Sequence, residues 1–169
     1  MDFLNYINSN GYRFPISSGN MPYINNYANF EQDKIYIKDF GKKPTVIDIE
    51  QATKQNNNYR IALWTGEHLQ VTLMSIPVGG NIGLEVHPNI DQFIRIEQGI
   101  GLVQMGDAKD NLDFYTRAGD GYAVMVPAGK WHNITNIGNV PLKLYSIYAP
   151  PDHQKGVVEK TKQDAEHEV

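Results

Sequence analysis

The sequence has no cysteine. That excludes disulfides and thiolate metal sites, so any metal must be held by imidazole, carboxylate or amide groups. It has no excess of basic residues: 15 Lys and Arg against 19 Asp and Glu give a net charge of −4, with a pI near 5.7. No basic patch marks a nucleic-acid partner, and none is expected. No apolar run approaches the roughly 20 residues that a membrane-spanning helix needs. The opening "MDFLNYINSNGYRF" carries neither the basic nor the apolar region of a secretory leader. A soluble cytoplasmic protein without membrane contact is the expectation.

What is present is ordinary for one globular domain: 169 residues, 41 % hydrophobic and 20 % charged. Residues 1–44 stand apart. They are crowded with Asn and Tyr and show little hydrophobic periodicity, so they read as an arm that packs on the domain or on a second subunit, or as a tail. A short helix is expected over 48–56, where Asp48 caps the first turn and Gln51 follows three residues on. The pattern then changes. "YRIALWT" (59–65), "HLQVTLMSI" (68–76), "QFIRIEQ" (92–98), "GLVQM" (101–105), "YAVMVP" (122–127) and "PLKLYSIYA" (141–149) are short and rich in β-branched and aromatic residues. Gly, Pro, Asn and Asp separate them. This predicts antiparallel strands joined by tight turns, in a sandwich, jelly roll or barrel over 45–150. The charged stretch 151–169 carries Thr161, a candidate cap for a second short helix with Asp164 three residues later.

Two stretches carry possible chemistry. In "GYAVMVPAGKWHNITN" (121–136) the spacing is Gly121, five residues, Pro127, one residue, Gly129, two residues, His132, three residues, Asn136. The glycines permit tight turns on either side of a strand, and Pro127 ends that strand. His132 then opens the next one. In "GLEVHPNIDQFIRIEQG" (83–99), Glu85 and His87 are two apart, which on a strand puts them on one face. Gln92 opens a following strand, and hairpin pairing would bring it beside them. Asp91 would face the opposite way.

The second motif of the cupin superfamily resembles 121–136 at every fixed position. The first cupin motif has Gly, five residues, His-x-His, three or four residues, Glu, six residues, Gly. Laid on this chain it falls on Gly79, Glu85-Val86-His87, Gln92 and Gly99. Every spacing fits, but Glu85 stands at the first His and Gln92 at the Glu. The resemblance, which is to small single-barrel bacterial cupins often labelled mannose-6-phosphate isomerase-like, implies an all-β jelly-roll barrel, with short helices at both flanks. It implies a divalent metal (Fe, Mn, Ni, Co or Zn) in the lumen on Glu85, His87, Gln92 and His132, and commonly a homodimer. The ligand charge remains −1, because the carboxylate has moved from one strand to the other. That favours a rearranged site over a lost one.

Sugar isomerase-like and dioxygenase-like chemistry on a small molecule would both suit such a centre. The residues leave other readings open. Glu85 could be a general base beside a three-ligand metal. Gln92 could bind a ligand or water instead. The set could be a metal-free pocket for a small polar or carbohydrate ligand. Of the remaining groups, His68 and one of Tyr145 and Tyr148 are weaker candidates to line the lumen. His153 and His167 read as solvated, Lys130 as a rim residue, and Trp64 and Trp131 as packing residues.

Overall fold

The computed structural model describes residues 4–7, 13–16 and 34–166. Two compact units divide the chain at residue 34. The first holds an antiparallel pair, β1 (Leu4–Ile7) and β2 (Arg13–Ile16). The second begins at Ile35 and contains everything else. His167 lies outside the described residues.

In the second unit, α1 (Ile49–Gln55) precedes β3 (Arg60–Thr65), β4 (Gln70–Ile76), β5 (Asp91–Gln98), β6 (Ile100–Gly106), β7 (Phe114–Gly119), β8 (Ala123–Val126), β9 (Trp131–Asn136), β10 (Leu142–Ala149), β11 (Val158–Glu159) and α2 (Lys162–Glu166). The helix starts where the cap predicts: Asp48 accepts a hydrogen bond from the backbone N–H of Gln51 at 2.9 Å. Thr161 and Asp164 likewise bond each other's backbone at the start of α2.

The strands form two sheets. One runs β11-β3-β4-β10-β5-β8 and the other β7-β6-β9. All pairings are antiparallel. The irregular segment 79–87 lies against β9 through paired bonds at Gly79, Ile82 and Glu85. The result is an all-β jelly roll with few, short helices. Within this unit two strands escape the sequence pattern. In β7, Phe114–Arg117 are exposed on both faces, so no alternation marks them. β11 is too short to show any.

Register explains which face does what. Leu142, Leu144, Ser146 and Tyr148 of β10 pair with Ile76, Met74, Thr72 and Gln70 of β4. On the other side, Leu144, Ser146 and Tyr148 pair with Ile96, Ile94 and Gln92 of β5. These rows point between the sheets. At one end the lumen is apolar, filled by Ile76, Met74, Leu142, Leu144 and Ile96 with Val103 and Ile134 from the second sheet. At the other end the same rows carry Gln70, Thr72, Ser146, Gln92 and Tyr148, all buried.

The outer face of the large sheet is apolar too. Ile61, Leu63, Leu73 and Tyr145 pack under Ala52 of α1 and under Ile35, Ile37, Phe40 and Ile47. With both faces covered, β4 turns its aliphatic side outward to the helix and its polar side inward.

Candidate functional site

The polar end of the lumen gathers titratable groups from separate elements. His132 is the second residue of β9 and is almost completely buried. Its backbone exchanges both hydrogen bonds with Glu85, at 2.9 and 3.1 Å, so the two side chains leave the backbone side by side. His87 follows two residues on, with its carbonyl accepting from Gly129 N–H at 2.8 Å. That turn needs its glycine: Gly129 sits at φ 80°, which side chains rarely tolerate.

Glu85 Oε1 lies 3.3 Å from His132 Nε2 and 3.5 Å from His87 Nε2. One ligand atom from each of the three residues lies within 4.8 Å of the others. The two Nε2 atoms are buried and have no hydrogen-bond partner. On the other side of the ring, His132 Nδ1 is 3.0 Å from the Lys130 carbonyl. His87 Nδ1 is 3.3 Å from Asp152 Oδ1.

Electrostatics follow from this packing. Burial pushes the Glu85 carboxyl up, but His132, His87 and Arg60 overcome that and hold it down at about 2. Burial depresses His87, but the carboxylates of Asp152 and Glu85 flank it and push it up to about 9. His153 is lowered to about 4 by burial and by the Arg60 charge.

The placement of Gln92 differs from the hairpin expected. Residues 85–87 and 92 are not hairpin partners: Glu85 bridges β9 at His132, whereas Gln92 is the second residue of β5 in the other sheet, between Tyr148 and Val126. It faces the lumen from there. Its Nε2 donates to Ser146 Oγ at 3.3 Å, and its buried Oε1 has no partner. Asp91 does face away, and accepts from Ala128 N–H at 2.9 Å.

Other candidates sort by register. Tyr148 faces inward, with its ring edge-on to His87 at 5.7 Å and to His153 at 5.0 Å. Burial and the Glu85 charge raise its hydroxyl. Tyr145 faces the other way and packs near Phe93. His68 precedes β4 and is solvent-exposed beside Glu67, so it is no site residue. Lys130 is on the surface and pairs with Asp107. Asn136 ties strand ends together, donating to the Ile76 and Val140 carbonyls.

His153 corrects the sequence reading. It is not solvated: its side chain is 15 % exposed and meets the Tyr148 ring edge-on. Asp152 and Arg60 were also missed. Arg60 is buried in the row of Met74 and donates to Glu159 Oε2 at 2.8 Å. An arginine inside "YRIALWT" was a signal of a polar lumen. Asp152 had none, since the strand pattern ends before Pro150-Pro151.

Two sheets enclosing a polar site at one end of a shared lumen define a single-barrel jelly roll of the double-stranded β-helix type. The family model of the cupin domain matches residues 72–148. Bacillus subtilis YrkC, an uncharacterized protein, is 59 % identical over 138 residues, 82 % of this chain and 74 % of that one. Mimivirus protein L612, also uncharacterized, is 39 % identical over 115 residues, 68 % of this chain and 70 % of that one. The crystal structure of BH2720 from Bacillus halodurans is 59 % identical, with a TM-score of 0.76, covering 77 % of this chain and 98 % of that one. A Klebsiella pneumoniae double-stranded β-helix protein shares the fold at 16 % identity and a TM-score of 0.55, covering 72 % of this chain and 96 % of that one. The chain belongs to the cupin superfamily.

Proposed function

We propose that this cupin holds a divalent transition metal in its lumen and acts on a small polar molecule. Glu85, His87 and His132 would be the ligands, with Gln92 Oε1 as a neutral fourth donor. The observation that carries the reading is convergence without bonding. Three ligand atoms lie within 4.8 Å of each other, and both imidazole Nε2 atoms and Gln92 Oε1 are buried without a hydrogen-bond partner. A buried polar atom left unpaired costs about 1–3 kcal/mol. A cation among them would satisfy several at once. Imidazole, carboxylate and amide oxygen suit Fe, Mn, Ni, Co or Zn.

When bound, such a metal supplies Lewis acidity toward a carbonyl or enediol oxygen, or brings substrate and dioxygen together. Sugar isomerase-like and dioxygenase-like reactions both fit. Tyr148 and His153 face the same space and would contact the substrate, while Glu85 would serve as ligand or base.

A second reading is a barrel that binds a polar or carbohydrate ligand without catalysis. The approach of Glu85 Oε1 to both Nε2 atoms, at 3.3 and 3.5 Å, favours it, because a carboxylate so placed can pair with whichever imidazole is protonated. Elemental analysis of protein purified without chelator separates the two. About one equivalent of metal supports the first. Less than roughly a tenth of an equivalent, with no uptake on addition, sinks it. We further propose a cytoplasmic homodimer in which the arm expected over residues 1–44 is confined to residues 1–34, since Ile35, Ile37 and Phe40 pack on the second unit.

A further inference from the structure

The chain leaves β10 at Ala149, passes Pro150 and Pro151 and turns back onto the start of β4. Gln70 holds it there. This side chain is fully buried. Its Oε1 accepts from the backbone N–H of Asp152 at 3.3 Å and of His153 at 2.9 Å. Its Nε2 donates to the His153 carbonyl and to Thr65 Oγ1, each at 3.0 Å. Both lone pairs and both hydrogens of the amide are used. A buried amide is costly unless so satisfied, so the turn at 152–153 is held in one place.

That place puts the Asp152 carboxylate beside His87. Its Oδ1 is 3.3 Å from Nδ1, on the side of the ring away from Glu85. His87 and His132 are then set up alike. Each presents Nε2 to the same carboxylate oxygen of Glu85. Each has an acceptor at Nδ1: a backbone carbonyl for His132 and Asp152 for His87. An imidazole that coordinates through Nε2 carries its remaining proton on Nδ1, and the acceptor there sets both tautomer and ring orientation. Asp152 also brings a second negative charge to the cluster beside that of Glu85. It lies outside the residues matched by the cupin-domain model, which end at 148.

We propose that Asp152 is the positioning residue of His87, keeping Nδ1 protonated and Nε2 free for a divalent metal, and that Gln70 holds Asp152 in place. The inference rests on the metal-site reading above. Asp152 also approaches His153, with Oδ2 at 3.5 Å from Nε2, so the test must separate the two neighbours.

The test is affinity for Zn²⁺ and Co²⁺, measured by competition with a chromophoric chelator at fixed pH. The proteins compared are the parent, Asp152→Asn, Asp152→Glu and His153→Ala, each checked for an intact thermal transition. Asp152→Asn keeps the size and the backbone N–H that Gln70 grips. We expect it to bind 10- to 100-fold more weakly, the usual effect of losing such an outer partner. Asp152→Glu should recover part of the loss, and the visible bands of the Co²⁺ protein should shift in Asp152→Asn. His153→Ala removes the other neighbour of Asp152 and no atom of the His87 contact, so it should weaken binding clearly less than Asp152→Asn does. If the parent binds metal and Asp152→Asn binds it equally well, Asp152 does not position His87, although the metal site stands. If His153→Ala weakens binding as much as Asp152→Asn, the assignment to His87 is overturned. If the parent takes up neither ion, the metal-site reading itself has failed and this inference goes with it.

Discussion

His132 is the side chain on which the proposed centre depends most. It is buried, its Nδ1 faces the Lys130 carbonyl and its Nε2 faces Glu85. His132→Ala should abolish stoichiometric metal uptake, measured by elemental analysis. Gln92→Ala should bind metal about tenfold more weakly, since it removes a neutral, poorer donor. If its affinity equals the parent's, Gln92 is a lumen residue that contacts something else. The spacing in the sequence made Glu85, His87 and His132 visible, and those three are the groups whose ligand atoms converge. It did not reveal Asp152, because that residue reaches His87 through a turn held by Gln70, more than eighty residues away in the chain. Nor did it show His153 as largely covered, since a charged flank looks solvated until something packs over it.

Among the elements, β4 shows what periodicity alone leaves undecided. "HLQVTLMSI" alternates, and an aliphatic face is ordinarily taken as core. Here both faces are buried. Leu73 packs toward α1 and Tyr145, while Gln70, Thr72 and Met74 point into the lumen. Leu144, on the neighbouring strand and in the apolar end of the lumen, is fully buried. Leu144→Ala should cost about 2–5 kcal/mol in a denaturant titration.

The segment before α1 is tied on by Asp39. This carboxylate accepts from Thr65 Oγ1 and from the backbone N–H of Gly41, Thr65 and Gly156. Partial burial raises its pKa, but these bonds together leave it below the usual aspartate range. Its contribution to stability is therefore complete above the unfolded pKa and disappears as pH falls through the lower folded value. Melting curves of Asp39→Asn should lie below the parent near neutral pH and converge with it in acid. A constant gap at every pH would show that the charge contributes nothing.

At the scale of the whole molecule, Ile35, Ile37 and Phe40 pack against the outer core, so the second unit starts with them. A chain of residues 35–169 should melt within about 3 °C of the parent if it keeps every core contact of that unit. Light scattering on both would show whether residues 1–34 contribute to the proposed dimer. Among the described residues no helix is long and apolar enough to cross a membrane.

The sequence by itself determined the strand-rich barrel, the capped helix α1 and the frame of spacings that places Glu85, His87 and His132. These are local matters: side-chain period, turn residues and caps act over a few positions. Only the tertiary structure decided which sheet Gln92 belongs to, that the polar face of β4 turns inward, that Tyr148 and not Tyr145 faces the site, and that Asp152 stands behind His87. Each of these depends on strand order and on which surface a helix or returning loop covers. Such pairings join residues far apart in the chain, and no local pattern encodes them.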